Sequence, residues 1–293
     1  MKYQDFLNYI KEQMTAIFEP ETAIYIESIK KNNGITLEGL IIRKPGTNIS
    51  PAIYLNPYYH QYLEGISLNQ IVQDILFLYH KHIPSENFNT SDFGDFTKIR
   101  PYIIFKLVNY EKNLSLLKDV PHIRYMDLAI LFQFMLPNIQ KNHATILIHN
   151  QHLDYWKVTK EELYSYAKQN TPLLLPSKLD NLSSLVNETL SHSELNCPPV
   201  PPMYILTNNK RIAGAATILY DGLLGNISRQ FNQNLIILPS SIHEVLIVPT
   251  SSSDNLDFYS QMVQDVNTAE VSDDEILSNH AYYFSKEAGK IIF

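Results

Sequence analysis

The sequence predicts an α+β fold in which helices pack on largely antiparallel sheets, divided into two lobes. Three observations support this prediction. Apolar runs rich in Ile and Val occur mostly as adjacent pairs, the clearest being Leu235–Leu238 with Val245–Val248. Segments with apolar residues at helical spacing separate these pairs, an order that favours antiparallel pairing. The 293 residues include 45% hydrophobic and 18% charged side chains, enough to bury a sizeable core.

The first half of the chain alternates between helical and strand patterns. Phe6 and Ile10 belong to a set of apolar residues at helical spacing, and Asn33-Gly34 is typical of a hairpin turn. Periodicity leaves Ile123–Leu136 open between a strand and a buried helix, and the lack of a helix cap favours the strand. The elements predicted in this half are a helix at Tyr3–Phe18, strands at Ala23–Ile29, Ile35–Arg43 and Ala52–Asn56, a helix through Leu63, a helix at Leu68–His82, a strand at Pro101–Asn109, a short helix at Tyr110–Lys118 and a strand at Ile123–Leu136.

A break in the pattern at Pro137–Asn142 predicts the boundary between the two lobes. The N-terminal lobe is then residues 1–137 and the C-terminal lobe residues 143–293. The second lobe contains a Pro-rich loop at 196–202, which we expect to be exposed chain of polyproline type.

The second half again pairs strands and separates the pairs by helices. Thr159 and Glu162 form a capping box, which predicts the start of a helix. The elements predicted in this half are a strand at Ala144–Asn150, helices at Glu161–Asn170 and Leu179–Leu190, a hairpin of Tyr204–Thr207 with Ala215–Tyr220, a helix at Leu223–Phe231, the central strand pair, a helix at Leu256–Asn267, a helical turn at Asp273–Ser278 and a closing hairpin of Ala281–Phe284 with Ile291–Phe293.

Charge and cysteine content narrow the function classes. Thirty acidic and 23 basic residues give a net charge of −7, so we expect no nucleic acid and no anionic membrane as a partner. The single Cys197 excludes an internal disulfide and a Cys-based zinc knuckle. Met1–Pro20 lacks the apolar core of a signal peptide, and no segment approaches the roughly 18 apolar residues of a membrane span. We therefore expect a cytoplasmic protein without a cofactor.

The best candidate site is the polar cluster between the two central strands, formed by Ser240, Ser241, His243 and Glu244. In an extended strand Ser241 and His243 share a face, so the hydroxyl is a candidate nucleophile and the imidazole its base. A carboxylate from elsewhere would have to orient the ring, because Glu244 points to the opposite face. The alternative interpretation is a turn in the core, in which His243 bonds to nearby backbone.

Two further clusters each have a functional and a structural interpretation. His143, His149 and His152 suggest a metal site, but they lack a ligand motif and are typical of strand ends, so we expect no metal. The segment Asn208–Gly214 contains Lys210 and Arg211, which suit an anion. Without a phosphate-loop motif, this segment is more typical of a hairpin turn.

A third cluster is aromatic. It contains Tyr54, Tyr58, Tyr59, His60 and Tyr62. Such side chains suit stacking on a base or a sugar, although packing of a helix against the first sheet is the commoner use.

Several stretches together carry a resemblance to a known family. They are Ser50–Leu55 with Tyr58 and Tyr59, Asn109–Asn113, Asp119–Asp127, Ala144–His149, Pro202–Asn208, Gly214–Tyr220 and Leu238–Pro249. As a set covering nearly the full length, they resemble a bacterial domain of unknown function, number 5688, found mainly in gut Firmicutes. The resemblance implies a cytoplasmic bacterial setting and transfers no activity, cofactor or site residue.

These observations favour a cytoplasmic, non-enzymatic binding or regulatory protein whose partner is a protein or a small molecule. The alternative is a hydrolase with Ser241 as nucleophile and His243 as base. A pocket that holds both residues with a third, partnering carboxylate would favour the hydrolase.

Overall fold

In the computed structural model, the apolar runs on either side of residues 239–244 form neighbouring antiparallel strands, Asn234–Leu238 and Val245–Thr250. They lie at the centre of a six-stranded sheet. The side chains of Leu235–Leu238 are all buried, because this strand has a neighbour on each edge and packing on both faces. The sequence prediction for this strand pair is confirmed.

The structure describes residues 1–83, 87, 90–137, 144–182, 202–251 and 255–293. The chain divides into two compact units: unit 1 is Met1–Gly94 with Met135–Thr145, and unit 2 is Asp95–Phe134 with Ile146–Phe293. The predicted lobe boundary at Pro137–Asn142 and the predicted loop at 196–202 lie outside the described residues, except for Pro137 and an exposed Pro202.

Residues 1–94 build a three-stranded antiparallel sheet and the helices around it. The elements are α1 Tyr3–Ile17, β1 Ala23–Lys30, β2 Thr36–Arg43, β3 Ala52–Tyr54, α2 Asn56–Leu63, α3 Leu68–His82 and α4 Thr90–Phe93. The sheet order is β1-β2-β3. Phe6, Ile10 and Met14 of α1 are fully buried and belong to one core cluster with Leu40 of β2 and Ile75 of α3. The helical spacing of α1 therefore correctly indicated that Phe6, Ile10 and Met14 are buried, whereas Ile17, which has the same spacing, is 49% exposed.

Residues 95–293 contain two further sheets. The elements are α5 Phe96–Ile99, β4 Ile103–Asn109, α6 Leu114–Leu117, β5 His122–Tyr125, β6 Leu128–Met135, β7 Thr145–Leu147, α7 Asn150–Trp156, α8 Lys160–Leu174, β8 Ser177–Asn181, β9 Tyr204–Asn208, α9 Leu223–Phe231, β10 Asn234–Leu238, β11 Val245–Thr250, α10 Leu256–Ala269, β12 Tyr282–Ser285 and β13 Lys290–Ile292. One sheet has the order β4-β6-β5, with β7 also on β6, and the other has the order β13-β12-β10-β11-β9-β8. The sheets are mostly antiparallel, so the predicted α+β class is confirmed.

One predicted strand is wrong. Ala215–Tyr220 was expected to pair with β9, but the chain forms a 3-10 helix at Gly214–Leu219 instead. Both edges of β9 are already paired, one with β8 and the other with β11, so this segment has no free edge to pair with. At Gly214, a Cβ atom would overlap the side chain of Thr207 and the carbonyl of His243. The segment therefore packs against the end of β9 and does not pair with it in the sheet.

Three other predicted elements differ from the structure. The single strand expected at Ile123–Leu136 is two antiparallel strands, β5 and β6, joined by a turn at Met126 and Asp127. Leu179–Asn181, expected to begin a helix, belongs to β8 and pairs with β9, while residues 183–190 of that helix lie outside the described part. The strand expected at Ala144–Asn150 is shortened to β7, because Asn150 already begins α7. Across the described residues, no helix is long and apolar enough to cross a membrane.

Candidate functional site

The predicted cluster of Ser240, Ser241, His243 and Glu244 lies in the connection between β10 and β11. Residues 242 and 243 of this connection are bent, so Ser241 and His243 do not share a strand face. The hydroxyl oxygen of Ser241 accepts a hydrogen bond from the backbone N–H of His243 at 3.0 Å. The structure thus brings the two residues together through the backbone of His243.

The imidazole of His243 faces two other groups. Its Nδ1 accepts from the backbone N–H of Ala213 at 3.4 Å, and its Nε2 lies 3.5 Å from Oε1 of Glu275. Because Nδ1 accepts, the neutral ring carries its proton on Nε2, where it points at the carboxylate. A Ser–His nucleophile needs a ring nitrogen that accepts from the hydroxyl. The carboxylate at this ring is Glu275, whereas Glu244 is the next residue along the bend.

The same connection supports a second segment, residues 275–278. Three backbone hydrogen bonds join them: Ile242 N–H to Glu275 O at 2.9 Å, Leu277 N–H to Ser240 O at 3.0 Å and Ser278 N–H to Pro239 O at 3.0 Å. A further bridge pairs Ser241 with Ile276. The cluster predicted from sequence therefore holds residues 275–278 in place.

The histidines considered as metal ligands cap a helix. His149 is the N-cap residue of α7, and its backbone N–H donates to Nδ1 of His152 at 3.0 Å. Burial, and then the neighbouring His149, lower the pKa of His152. His143 lies outside the described residues. Within those residues, no three His, Cys, Asp or Glu side chains converge on a point that suits a metal ion.

The segment considered for anion binding folds on itself. The side-chain oxygen of Asn208 accepts from the backbone N–H groups of Lys210, at 3.0 Å, and Ile212, at 3.3 Å. Arg211 lies 3.4 Å from the carboxylate of Asp180. These contacts occupy the backbone N–H groups of Lys210 and Ile212 and the guanidinium of Arg211.

The aromatic cluster in unit 1 packs one helix on another. The ring of Tyr59 lies 4.8 Å from that of Tyr3 and 5.3 Å from that of Phe6, and Tyr62 is 6.0 Å from Phe6. Tyr54 instead lies under the ammonium of Lys31, at 4.5 Å. Tyr59 and Tyr62 of α2 therefore pack on α1. All three tyrosines of α2 also pack against the core cluster that includes Leu40, Ile42 and Ile53 of the first sheet, as the sequence favoured.

A polar cluster that was not predicted as a site surrounds Asp127. This residue occupies the two-residue turn between β5 and β6, where Met126 takes a left-handed conformation with φ of 56°. Three side chains from the end of the chain converge on its carboxylate. Ser278 Oγ donates to Oδ2 at 2.6 Å, His280 Nδ1 lies 3.2 Å from Oδ2, and Tyr282 donates to Oδ1 at 2.6 Å. We call these four residues the Asp–His site.

The geometry of the Asp–His site sets the orientation of His280. Because the carboxylate accepts, Nδ1 of the neutral ring carries the proton and Nε2 keeps its lone pair. The side chain of His280 is 56% exposed, against 18% for Asp127. Within the described part of the chain, Nε2 has no hydrogen-bond partner. The arrangement is thus a solvent-facing base held by a largely buried carboxylate.

The other two members of the site are fully buried. Tyr282 begins β12, opposite Ile237 of the central strand β10. Burial raises the pKa of its hydroxyl well above the usual range, and the charge of Asp127 raises it further. The hydroxyl of Ser278 also accepts from the backbone N–H of His280 at 2.9 Å. Both hydroxyl groups therefore hold the carboxylate and its neighbours in place.

In the sequence, Asp127 stands out only as a charged residue inside the apolar run Ile123–Leu136. Its partners do carry a signal, since Ser278, His280 and Tyr282 alternate with a period of two and can share one side of an extended chain. That pattern predicts a polar face, although it does not identify the residue that the face meets.

The comparisons with known proteins concern the whole chain. No curated protein and no solved structure matches it. One family model does match, over residues 3–286, and its description is a family of unknown function. Because the match covers nearly the full length, the chain belongs to the family DUF5688.

Proposed function

We propose that the Asp–His site transfers protons and that the protein is a hydrolase of small molecules with water as the nucleophile. One observation carries the proposal: His280 presents Nε2 to solvent while Asp127 holds its Nδ1, and two buried hydroxyl groups hold that carboxylate. A carboxylate in this position selects the tautomer of a catalytic histidine and stabilises the imidazolium that forms.

In the proposed reaction, Nε2 of His280 removes a proton from water while the water oxygen attacks the carbonyl carbon of an ester or amide. Asp127 stabilises the positive ring. The carbon–heteroatom bond then breaks, and Nε2 returns the proton to the leaving group, so the ring ends neutral. Ser278 is not the nucleophile, because its hydroxyl hydrogen is donated to Asp127 and its oxygen accepts from a backbone N–H.

A second candidate is ligand binding without chemistry, which the lack of a phosphate loop, a metal motif or a nucleophile elbow in the sequence favours. The surface beside His280 supports it, because the Phe293 ring lies 5.7 Å from the imidazole and is 60% exposed, and Ile292 is 47% exposed. An oriented imidazole beside an exposed apolar surface suits a small molecule with one apolar group and one hydrogen-bond donor. For either function we propose a bacterial cytoplasm as the setting, supported by the single Cys197 and the family resemblance.

Hydrolysis of a panel of chromogenic esters and amides tests the proposal. Because general-base catalysis contributes about 10²–10⁴-fold, we expect His280→Ala and Asp127→Asn to lower kcat/KM by about 100-fold or more. His122→Ala is the matched control, since this half-buried histidine of unit 2 is bonded to the carbonyl of Val120 and is expected to leave the rate unchanged.

Each other outcome is informative. Loss of hydrolysis in Ser241→Ala with full activity in His280→Ala would move the site to the cluster predicted from sequence and overturn the proposal. If no substrate is turned over but small molecules shift the NMR signals of His280, the binding function is supported. If neither occurs, both functions of the Asp–His site are refuted.

A further inference from the structure

Helix α10 presents three polar side chains on one face, because Ser260, Gln264 and Asn267 follow at spacings of four and three residues. All three contact the chain on either side of His280. Ser260 Oγ accepts from Ala281 N–H at 3.0 Å, Gln264 Nε2 donates to Asn279 O at 3.5 Å, and Asn267 Nδ2 donates to Ser278 O at 2.8 Å. One helix face therefore holds the backbone of residues 278–281.

Asn267 makes the most enclosed of these contacts. It is 5% exposed, and its Nδ2 also donates to the side-chain oxygen of Asn279 at 2.8 Å. Its own oxygen is buried and has no hydrogen-bond partner in the described part of the chain. Buried amides ordinarily satisfy both ends, so the role of this residue lies in its two donated bonds.

A second asparagine acts one residue earlier. Asn109, the last residue of β4, donates from Nδ2 to the carbonyl of Leu277 at 3.0 Å. Two asparagine side chains from different elements thus hold the consecutive carbonyls of Leu277 and Ser278. The position of the Cα atom of His280 relative to Asp127 follows from these anchors.

We infer that Asn267 is a positioning residue for His280, an inference that rests on the proposed function of the Asp–His site. The bond from His280 Nδ1 to Asp127 is 3.2 Å long and is made by a ring that is more than half exposed. A displacement of the backbone by about 1 Å is enough to break a hydrogen bond of that length and impair a catalytic group. Asn267 prevents the displacement by fixing both the carbonyl of Ser278 and the side chain of Asn279.

Long-range ¹H–¹⁵N spectra of the histidine rings in ¹⁵N-labelled protein test this role. The His280 signals are assigned from their absence in His280→Ala. The wild-type ring is expected to be protonated on Nδ1 and bare on Nε2. Asn267→Ala is expected to convert this single tautomer into a mixture. Asn267→Asp is expected to shift the mixture further, because a carboxylate would face two oxygen atoms.

Matched variants separate positioning from stability. Asn208→Ala removes an equally buried asparagine of unit 2 whose bonds stay within its own turn, so it is expected to lower Tm and leave the His280 tautomer unchanged. If Asn267→Ala does not fold, Ser260→Ala removes the half-buried contact to Ala281 and is expected to shift the tautomer in the same direction.

The two proposals fail in different ways. A wild-type ring without the Nδ1 proton would refute the proposed function and, with it, this inference. A wild-type ring with that proton, unchanged in folded Asn267→Ala and in Ser260→Ala, would refute the positioning role alone.

Discussion

The hydrogen bond between Tyr282 and Asp127 predicts a measurable coupling in stability. Tyr282 is fully buried, and its hydroxyl lies 2.6 Å from Oδ1 of the carboxylate. Tyr282→Phe removes this oxygen and keeps the ring, so we expect a cost of about 1.5–3 kcal/mol for one bond to a charged group. Asp127→Ala strands two buried donors, the hydroxyls of Tyr282 and Ser278, at about 1–3 kcal/mol each, or about 2–6 kcal/mol together.

The double variant distinguishes a real bond from mere proximity. Once Tyr282 is Phe, Asp127→Ala no longer leaves the tyrosine hydroxyl without a partner. The double variant should therefore lose less free energy of unfolding than the two single variants lose together, by about 1–3 kcal/mol. Urea unfolding followed by circular dichroism gives the free energy of unfolding of the wild type, the two single variants and the double variant. Tyr220→Phe is the control, because its buried hydroxyl donates to the carbonyl of Leu175 and should be additive with Asp127→Ala. A Tyr282 coupling within about 0.5 kcal/mol of zero would refute the reasoning.

Three further predictions concern stability. Gly214→Ala should destabilise the protein by about 1–3 kcal/mol, because the added methyl group overlaps its neighbours. Gly225→Ala should stabilise it by about 0.5–1 kcal/mol, because this residue lies inside α9 and the nearest atom is 3.7 Å away. Equal changes in the melting temperatures of the two variants would contradict this prediction. Burial raises the pKa of Tyr220 and Tyr282. The free energy of unfolding should therefore be constant below about pH 10 and should fall above that pH, by about 1.4 kcal/mol per pH unit for each tyrosine. Urea midpoints that stay constant from about pH 9 to 11 would rule that out. Thr159→Ala should cost about 1 kcal/mol by removing the cap of α8 and Thr159→Ser should restore it; equal losses in both variants would show that the cap contributes nothing.

The local sequence pattern correctly predicted the elements whose structure follows from the spacing of their own apolar residues. The helix Leu223–Phe231 was predicted with the bounds that α9 has, and the strands of the central pair lie where the apolar runs indicated. The pattern failed at Ala215–Tyr220, which has the composition of a strand. In the structure β9 already has β8 on one edge and β11 on the other, and periodicity carries no information about which edges of a strand are occupied.

The Asp–His site was beyond local reasoning for a related reason. Asp127 and its three partners are separated by 151 to 155 residues, and only the folded chain decides which polar residue meets which. The prediction instead favoured Ser241 and His243, because they are neighbours in sequence. In the structure both make hydrogen bonds to backbone, and the carboxylate that faces the imidazole, Glu275, comes from another segment.

The place of β12 beside β10 has a consequence for synthesis of the chain. Leu238 ends β10, and Tyr282, which begins the strand on its free edge, emerges 44 residues later. At about 5–20 residues per second, the interval is about 2–9 s. During that time an apolar strand has an open edge, and such an edge can template pairing with another nascent chain. When several ribosomes translate one messenger RNA at close spacing, we therefore expect nascent chains to be prone to aggregation until the β12–β13 hairpin pairs with β10.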